Sequence, residues 1–257
     1  MVAVSDDKQQ DSTTTHFGYK TVLTKDKPQM VNKLFERVTD RYDLMNDLMS
    51  LGCHRVWKRF AVEKSYISCD DYVLDVACGT CDLTALLAKR LSPKGFLSAL
   101  DYNFSMLSLG RDRMLNEGLH QAVHYIQARA ESIPMPNGCF DVVTIAFGLR
   151  NVTQKASFLS EAYRVLKPSG RLLILEFSMP SNPLLRWAYD AYLFKCLPLL
   201  GEHVAGDRDG YQYLAESILM HASQDDLRQM CEDVGFQSCE VQTIMGGIVA
   251  IHTGVKI

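Results

Sequence analysis

Residues 72–84, YVLDVACGTCDLT, constrain the fold of this chain more than any other stretch. The apolar run Tyr72-Val73-Leu74 reads as a buried strand, with Asp75 near its end. A small-residue turn follows, Ala77-Cys78-Gly79-Thr80-Cys81, and then Asp82 in N-cap position before a helical run over residues 83–91. Small side chains let backbone N–H groups approach a ligand, and the helix N-terminus faces it, so this build suits a nucleotide-like ligand. The same strand, turn and helix also serve as bare α/β packing, so other segments must decide between the two.

The turn is not the dinucleotide fingerprint G-x-G-x-x-G, because only Gly79 of those glycines is present. The acid before it fits D-x-(G/A)-x-G-x-G, the pattern of S-adenosylmethionine-dependent methyltransferases, with Ala77, Gly79 and Cys81 at the three small positions. That cofactor has no pyrophosphate. It carries an ammonium and a sulfonium, which an acid favours.

Strand and helix patterns alternate through the middle of the chain, as a doubly wound parallel sheet requires. A strand over residues 96–100 ends in Asp101, about 20 residues past the turn, where a ribose-binding acid stands in nucleotide-binding folds. Asp101 is alternatively the N-cap of a helix over 106–116. The strand Val123–Gln127 runs into Ala128-Arg129-Ala130-Glu131, a loop placed to border an adenine. A strand over 141–147 is followed by Gly148-Leu149-Arg150-Asn151, then by a helix over 155–166, a connecting turn Lys167-Pro168-Ser169-Gly170 and a strand over 171–177. Residues 180–220, with Trp187 and four Tyr, interrupt the alternation, and a connection of that length is usually functional. A helix over Gln224–Val234 and strands over 238–244 and 247–253 close the chain, the last two as an antiparallel edge hairpin.

Upstream of the turn, Met30, Val31, Leu34, Phe35 and Val38 have helical spacing. Residues 41–60, dense in Met, Leu and aromatics and broken by Gly52, read as two amphipathic helices. They either cover a sheet edge or form a lid over an apolar substrate, and both roles can hold together. Residues 1–15 are polar and expected to be disordered, without a signal-peptide core or transit-peptide pattern.

The 257 residues carry a formal net charge of -3, which argues against general nucleic-acid binding. The eight Cys are expected as reduced thiols in a cytosol-like compartment. Cys78-x-x-Cys81 has the spacing of a zinc or redox pair, but no second motif completes a metal site. No run of about 18 apolar residues is present, so no transmembrane helix is expected.

Several segments are more specific: THFGYKTV (15–22), YDLMNDLMSLG-HRVWKRF (42–60), FGLRNV (147–152), YRVLKPSGRLLILEFS (163–178) and YQYLAESI (211–218). On these the chain resembles the ubiquinone/menaquinone biosynthesis C-methyltransferase family, from about residue 15 to the C-terminus. The resemblance implies an α/β fold with a seven-stranded, mostly parallel doubly wound sheet (Rossmann-like methyltransferase fold). It also implies a helical N-terminal lid and a late helical insertion. One domain would cover 16–257, with a cap over 16–66 and a substrate-side insertion over 180–220.

The implied reaction is methyl transfer from S-adenosylmethionine to a ring carbon of a polyprenyl hydroquinone, either a 2-demethylmenaquinol or a 2-polyprenyl-6-methoxy-1,4-benzoquinol. Implied cofactor contacts are Thr80, Asp101, Arg129 and Ala130, together with Asp75, Gly79 and Ala146. The implied catalytic pair is Arg150 and Asn151. A guanidinium is a poor base, so Arg150 would polarise a hydroxyl or a water while Asn151 orients the ring. His54, His203, Tyr211 and Tyr213 are secondary candidates for a proton relay, or structural hydrogen-bonding groups. The implied partners are a lipophilic polyprenyl quinol, a membrane surface or quinone-biosynthesis complex, and a second copy as homodimer, with no nucleic acid. The implied location is cytoplasmic and peripheral on the inner membrane face, or alternatively the mitochondrial matrix.

Three residues depart from the family's pattern: Cys81 for Gly, Arg129 for Asn or Asp, and Ala146 for Ser. The Cβ of Cys81 is expected to push the turn away from the methionine moiety and lower cofactor affinity. Two other functions stay open on the sequence: a cofactor-impaired scaffold subunit, and a methyltransferase for another phenol or a sterol.

Overall fold

A short antiparallel hairpin opens the computed structural model, which describes residues 13–257. Strands β1 (Thr14–Phe17) and β2 (Lys20–Leu23) are joined by the two-residue turn Gly18-Tyr19, with Gly18 at φ 57°. Thr14 and Thr15, expected within a disordered N-terminus, are therefore paired in a strand. The rest of that expectation, residues 1–12, lies outside the described residues.

Three helices follow: α1 (Lys27–Val38), α2 (Tyr42–Ser50) and α3 (His54–Lys64). Leu51 and Gly52, at φ 50° and 77°, turn the chain between α2 and α3. The alternating region is β3 (Tyr72–Val76), α4 (Asp82–Ala88), β4 (Phe96–Asp101), α5 (Phe104–Asn116), β5 (Val123–Gln127), β6 (Phe140–Ala146), α6 (Lys155–Val165) and β7 (Leu166–Phe177). Next come α7 (Pro183–Ala191), α8 (Leu197–Leu200) and α9 (Arg208–Leu219), with single π-helical segments on either side of α8. Helix α10 (Gln224–Val234) and strands β8 (Gln237–Ile244) and β9 (Val249–Val255) end the chain.

The seven strands are ordered β5-β4-β3-β6-β7-β9-β8. All pairings from β5 to β7 are parallel, and β9 runs antiparallel to both β7 and β8. The chain steps outward from β3 to β5, then returns to place β6 on the other side of β3. That reversal opens a crevice past the C-terminal ends of β3 and β6, where ligands of open α/β sheets bind.

Local sequence explains the elements that frame this crevice. In α6, Phe158, Leu159, Ala162 and Val165 are buried at helical spacing against one sheet face. Helix α10 starts at Ser223, whose hydroxyl accepts from Asp226 N–H, and stops at Gly235, φ 114°. The opposite face packs on the N-terminal helices and α9, through Leu173, Leu175 and Phe177 on β7.

Two local expectations change. Asp82 is the first helical residue of α4, not its cap; the cap position belongs to Cys81, with no side-chain cap bond. Residues 167–170 are not a free connection, because β7 already pairs through Leu166 with Phe140 and resumes at Arg171 with Val142. The four residues between bulge out, held by backbone bonds between Ser169 or Gly170 and Lys256.

Charges tie the N-terminal helices to this frame. Arg113 on α5 pairs with Asp82 on α4 and with Asp43 on α2, and Lys58 on α3 donates to Asp82 at 2.9 Å. Asp82 sits in the first turn of α4, where the helix dipole favours a carboxylate. Among the described residues no helix is long and apolar enough to cross a membrane.

The structure also changes where the cost of Cys81 falls. Its side chain is fully buried, and a Cβ placed on Gly110 of α5 would come within 2.5 Å of its Sγ. The thiol fills the space that Gly110 leaves. The penalty of Cys81 is therefore backbone strain, at φ 63°, rather than lost ligand space.

Gly110→Ala should accordingly cost about 1–3 kcal/mol through overpacking. In a Cys81→Gly background the cost should shrink, because the added Cβ then meets only Gly79 O at 3.2 Å. Urea unfolding of the four proteins measures the coupling; an equal cost in both backgrounds contradicts the steric pairing.

Candidate active site

Past the ends of β3, β4 and β6 lies a cavity with about 780 Å³ of empty space, its open mouth included. Its floor is the turn after β3 (Ala77, Gly79) and the end of β4 (Asp101, Tyr102, Asn103). Residues 128–131 wall one side, and Phe147, Gly148 and residues 151–153 the other. Helix α1 closes the top with Pro28, Val31, Asn32 and Phe35, joined by Tyr42.

Asp101 holds the floor together. Its Oδ2 accepts from Gly79 N–H and its Oδ1 from Asn103 N–H, each at 2.8 Å. Burial raises its carboxyl above the usual range, opposed by the bonds from these backbone groups. Tyr102 N–H is a further backbone partner, so three of the carboxylate's roughly four acceptor sites are filled. The alternative of Asp101 as helix N-cap fails: Asn103 fills that role, its side chain accepting from Met106 N–H at 2.8 Å.

The two strand-end turns also touch. A Cβ on Gly148 would lie 2.6 Å from Ala77 Cβ, so only glycine lets these turns meet. Asn103 Nδ2 donates to Asn32 Oδ1 at 2.8 Å and so latches α1 to the floor.

Of the residues singled out from sequence, Gly79, Asp101, Arg129, Ala130 and Asn151 line this cavity. Asp75, Thr80, Ala146 and Arg150 stand behind its wall. Asp75 is buried and accepts from the hydroxyls of Thr84 (2.6 Å) and Thr144 (2.9 Å), which bolts the turn to α4 and β6. Thr80 is turned toward α2, with its hydroxyl 3.4 Å from Asp43. Ala146 packs among the core clusters on β6.

Arg150 is 5% exposed and engages its side chain internally. Its Nη1 donates to Glu176 Oε1 at 2.6 Å and to Phe147 O at 2.5 Å, while its backbone N–H donates to Glu176 Oε2 at 3.1 Å. Its guanidinium lies 5.4 Å over the ring of Phe177, and Nε is buried without a partner. This pair rigidifies the turn at residues 149–151. The neighbour that reaches the cavity is Asn151, whose Oδ1 accepts from Tyr213 OH at 3.0 Å.

The other relay candidates separate. His54 Nε2–H donates to Asp47 Oδ1 at 2.9 Å, with its pKa lowered mainly by burial, and lies outside the cavity wall. His203 Nδ1 donates to Leu199 O. Tyr211 is fully buried, packed against Gly201. Of these four, Tyr213 is the one that touches a residue of the site. Sequence reasoning misses Asn32, Tyr42, Tyr102, Asn103 and Met106. The N-cap pattern of Asn103 three residues before Met106 is a usable signal, whereas the lid contacts depend on tertiary docking.

Burial moves the Asp75 carboxyl from 3.8 to about 6, with the bonds from Thr84 and Thr144 opposing. A raised folded-state pKa means the contribution to stability is full below the unfolded value and is lost as pH rises through about 6. Asp75→Asn removes that titration. Its melting temperature should gain on wild type between about pH 4 and pH 7, and parallel profiles contradict the assignment.

The ubiE/COQ5 methyltransferase family model matches residues 20–256. The chain is 52% identical over 243 residues to the ubiquinone/menaquinone biosynthesis C-methyltransferase UbiE of Methylococcus capsulatus, covering 95% of this chain and 98% of that one. Identity to the UbiE of Erwinia tasmaniensis is also 52%, covering 95% and 97%. Among solved structures, a SAM-dependent methyltransferase of Thermotoga maritima aligns with a TM-score of 0.62 at 18% identity, covering 88% of this chain and 99% of that one. That likeness extends to the fold. A methyltransferase sheet with an acid-floored crevice, and half-identity along nearly the whole length, place this chain in the ubiE/COQ5 methyltransferase family.

Proposed function

We propose that this chain methylates a ring carbon of a polyprenyl hydroquinone, a demethylated precursor of menaquinone or ubiquinone. The observation that carries the reading is Asn151, a hydrogen-bonding amide fixed by Tyr213 in the wall of a cavity otherwise suited to the cofactor. S-adenosylmethionine, when bound, supplies an electrophilic methyl group. The residues present fit it: Asp101 puts a carboxylate in the floor with an acceptor site to spare for a ribose hydroxyl, and the loop at Arg129-Ala130 and the turn at Ala77–Gly79 line the same cavity.

An aromatic carbon ortho to a hydroxyl becomes nucleophilic as that hydroxyl loses its proton. Once the new carbon–carbon bond forms, the ring sheds its own hydrogen as a proton and regains aromaticity. The protein's task is to orient the ring in line with the methyl group and to favour phenolate character. Asn151 orients the acceptor through its amide N–H groups, since its oxygen is engaged by Tyr213. Arg150 acts through this turn as a positioning residue, paired with Glu176 behind the wall. Helix α1 and Tyr42 exclude water above. The acceptor's lipophilic tail places the encounter at a membrane surface, with the protein peripheral to the inner face.

Asn151→Ala should lower kcat by about 10²–10³-fold, the scale for removing one donor at developing negative charge. Calorimetric cofactor affinity should fall less than about tenfold. Near-normal kcat contradicts the role. Arg150→Ala leaves Glu176 buried and unpaired, so it should lose about 3–5 kcal/mol of stability as well as turnover. Arg150→Lys should restore stability more than turnover, because an ammonium keeps the charge opposite Glu176 but not the planar guanidinium over the Phe177 ring.

The acceptor itself is identified by extracting quinones from cells that lack the gene. Accumulation of a ring-demethylated prenyl quinone supports the function, and its type distinguishes benzoquinol from demethylmenaquinol. Unchanged quinones contradict the function.

A further inference from the structure

Helix α7 has an outer face that no described residue covers. Leu184 is 75% exposed and Trp187 70%, far beyond what a side chain packed on its own domain shows. With the exposed Ala188, these residues fall on one side of the helix by its 3.6-residue turn, away from the buried Tyr189. The outward side of α7 is therefore apolar. Past α7 the chain stays helical as far as α8, and Lys195 and Leu199 keep exposed positions there.

Neighbouring elements widen this face. On one flank the tip of the β1–β2 hairpin brings up Tyr19, an exposed ring that stacks on Phe194 with centroids 6.2 Å apart and an interplanar angle of 9°. Against Leu185 lies the turn between β8 and β9, since a Cβ on Gly246 would come within 2.6 Å of Leu185 Cδ2. The adjacent Met245 is left exposed. Exposed apolar and aromatic side chains gathered in this way mark a contact surface.

Charge indicates what touches it. Arg186 on α7 and Lys195 just past it are exposed, and among the described residues neither side chain has a hydrogen-bond or ion-pair partner. The one carboxylate over residues 181–200, Asp190, is half-buried. A second copy packed on this face about a two-fold axis would meet the same free cations, whereas an anionic lipid surface complements them. The inner side of α7 points the same way. Tyr189 is buried there, and the charges of Arg150 and Glu176, beneath the turn that presents Asn151, reach its hydroxyl.

We propose that the outer face of α7 is the surface by which this protein rests on an anionic phospholipid bilayer. Leu184 and Trp187 enter the headgroup boundary, where the amphipathic indole is favoured, while Arg186 and Lys195 meet lipid phosphates. The inference rests on the proposed function, because a polyprenyl acceptor resides in lipid, and adds the part of the molecule that faces it. One helix then separates the bilayer from the Arg150–Glu176 pair.

The test is flotation with vesicles of phosphatidylcholine, alone or mixed with phosphatidylglycerol. Wild type should bind the mixed vesicles, and added salt should weaken that binding. Trp187→Glu and, separately, Leu184→Glu should each lower it at least about tenfold, the scale of withdrawing one large apolar side chain from lipid. Arg186→Gln and Lys195→Gln should each cost about fivefold on mixed vesicles and little on neutral ones. Calorimetric cofactor affinity within about twofold of wild type reports that each fold is intact. Turnover of a long-tailed quinol carried in vesicles should fall with vesicle binding, while turnover of a soluble tailless quinol stays level. Unchanged vesicle binding in both Trp187→Glu and Leu184→Glu overturns the assignment. So does a pair of variants that lose a dimer in sedimentation but keep vesicle binding, which gives the face to a second copy. Wild type that floats with vesicles through α7 yet methylates neither quinol overturns the proposed function and leaves the surface standing.

Discussion

One buried carboxylate fixes the geometry on which the site depends. Asp101 takes a backbone N–H from the turn after β3 and another from the loop after β4, so two adjacent strand ends hold a set separation. Backbone groups in a buried floor must be paired or they cost about 1–3 kcal/mol each. Meeting that need with an acid puts a carboxyl in the lining of the crevice. The same side chain thus satisfies the fold and gives the cavity floor its carboxylate. Asp75 has a complementary role beneath the floor, where it binds two hydroxyls and never reaches the ligand space.

The lid depends on that floor. Asn32 is latched to Asn103, the residue next but one to Asp101, while Arg113 and Lys58 bind α2 and α3 to α4 and α5 through Asp43 and Asp82. These charges lie outside the cavity, so they can hold the helices without altering what the cavity binds. Arg150 and Glu176 work similarly beneath the turn at residues 149–151. A fully buried pair is weak evidence for stability, but removing one partner is strongly destabilising, so the pair enforces the shape of the turn that presents Asn151.

What the sequence makes legible follows from distance along the chain. The strand, turn and helix at residues 72–84 and the acid at the end of the second strand are local patterns, and both are where the residues say. Family motifs point to Asn151, which lines the cavity, and to the N-terminal helices, of which α1 lines it too. The effect of Cys81 is not legible because its compensation, Gly110, lies on a different helix, and no local signal links a thiol to the glycine that makes room for it. Arg150 reads as facing the ligand because its partner Glu176 comes from the next strand, a buried pairing visible only after the sheet is assembled. The hairpin at residues 14–23 is hidden by a polar composition, although Gly18 in a two-residue turn between Thr-rich and Thr/Val runs carries the signal.

The central claim is that one crevice brings a sulfonium methyl group and a quinol ring carbon together. It is tested most directly by giving the purified protein S-adenosylmethionine with a carbon-13 methyl group and a short-tailed demethylated quinol, then locating the label by NMR. The structure predicts a labelled methyl on the aromatic ring carbon beside a hydroxyl, formed one for one with S-adenosylhomocysteine. A label on oxygen, or cofactor binding without transfer to any carbon of the ring, contradicts it.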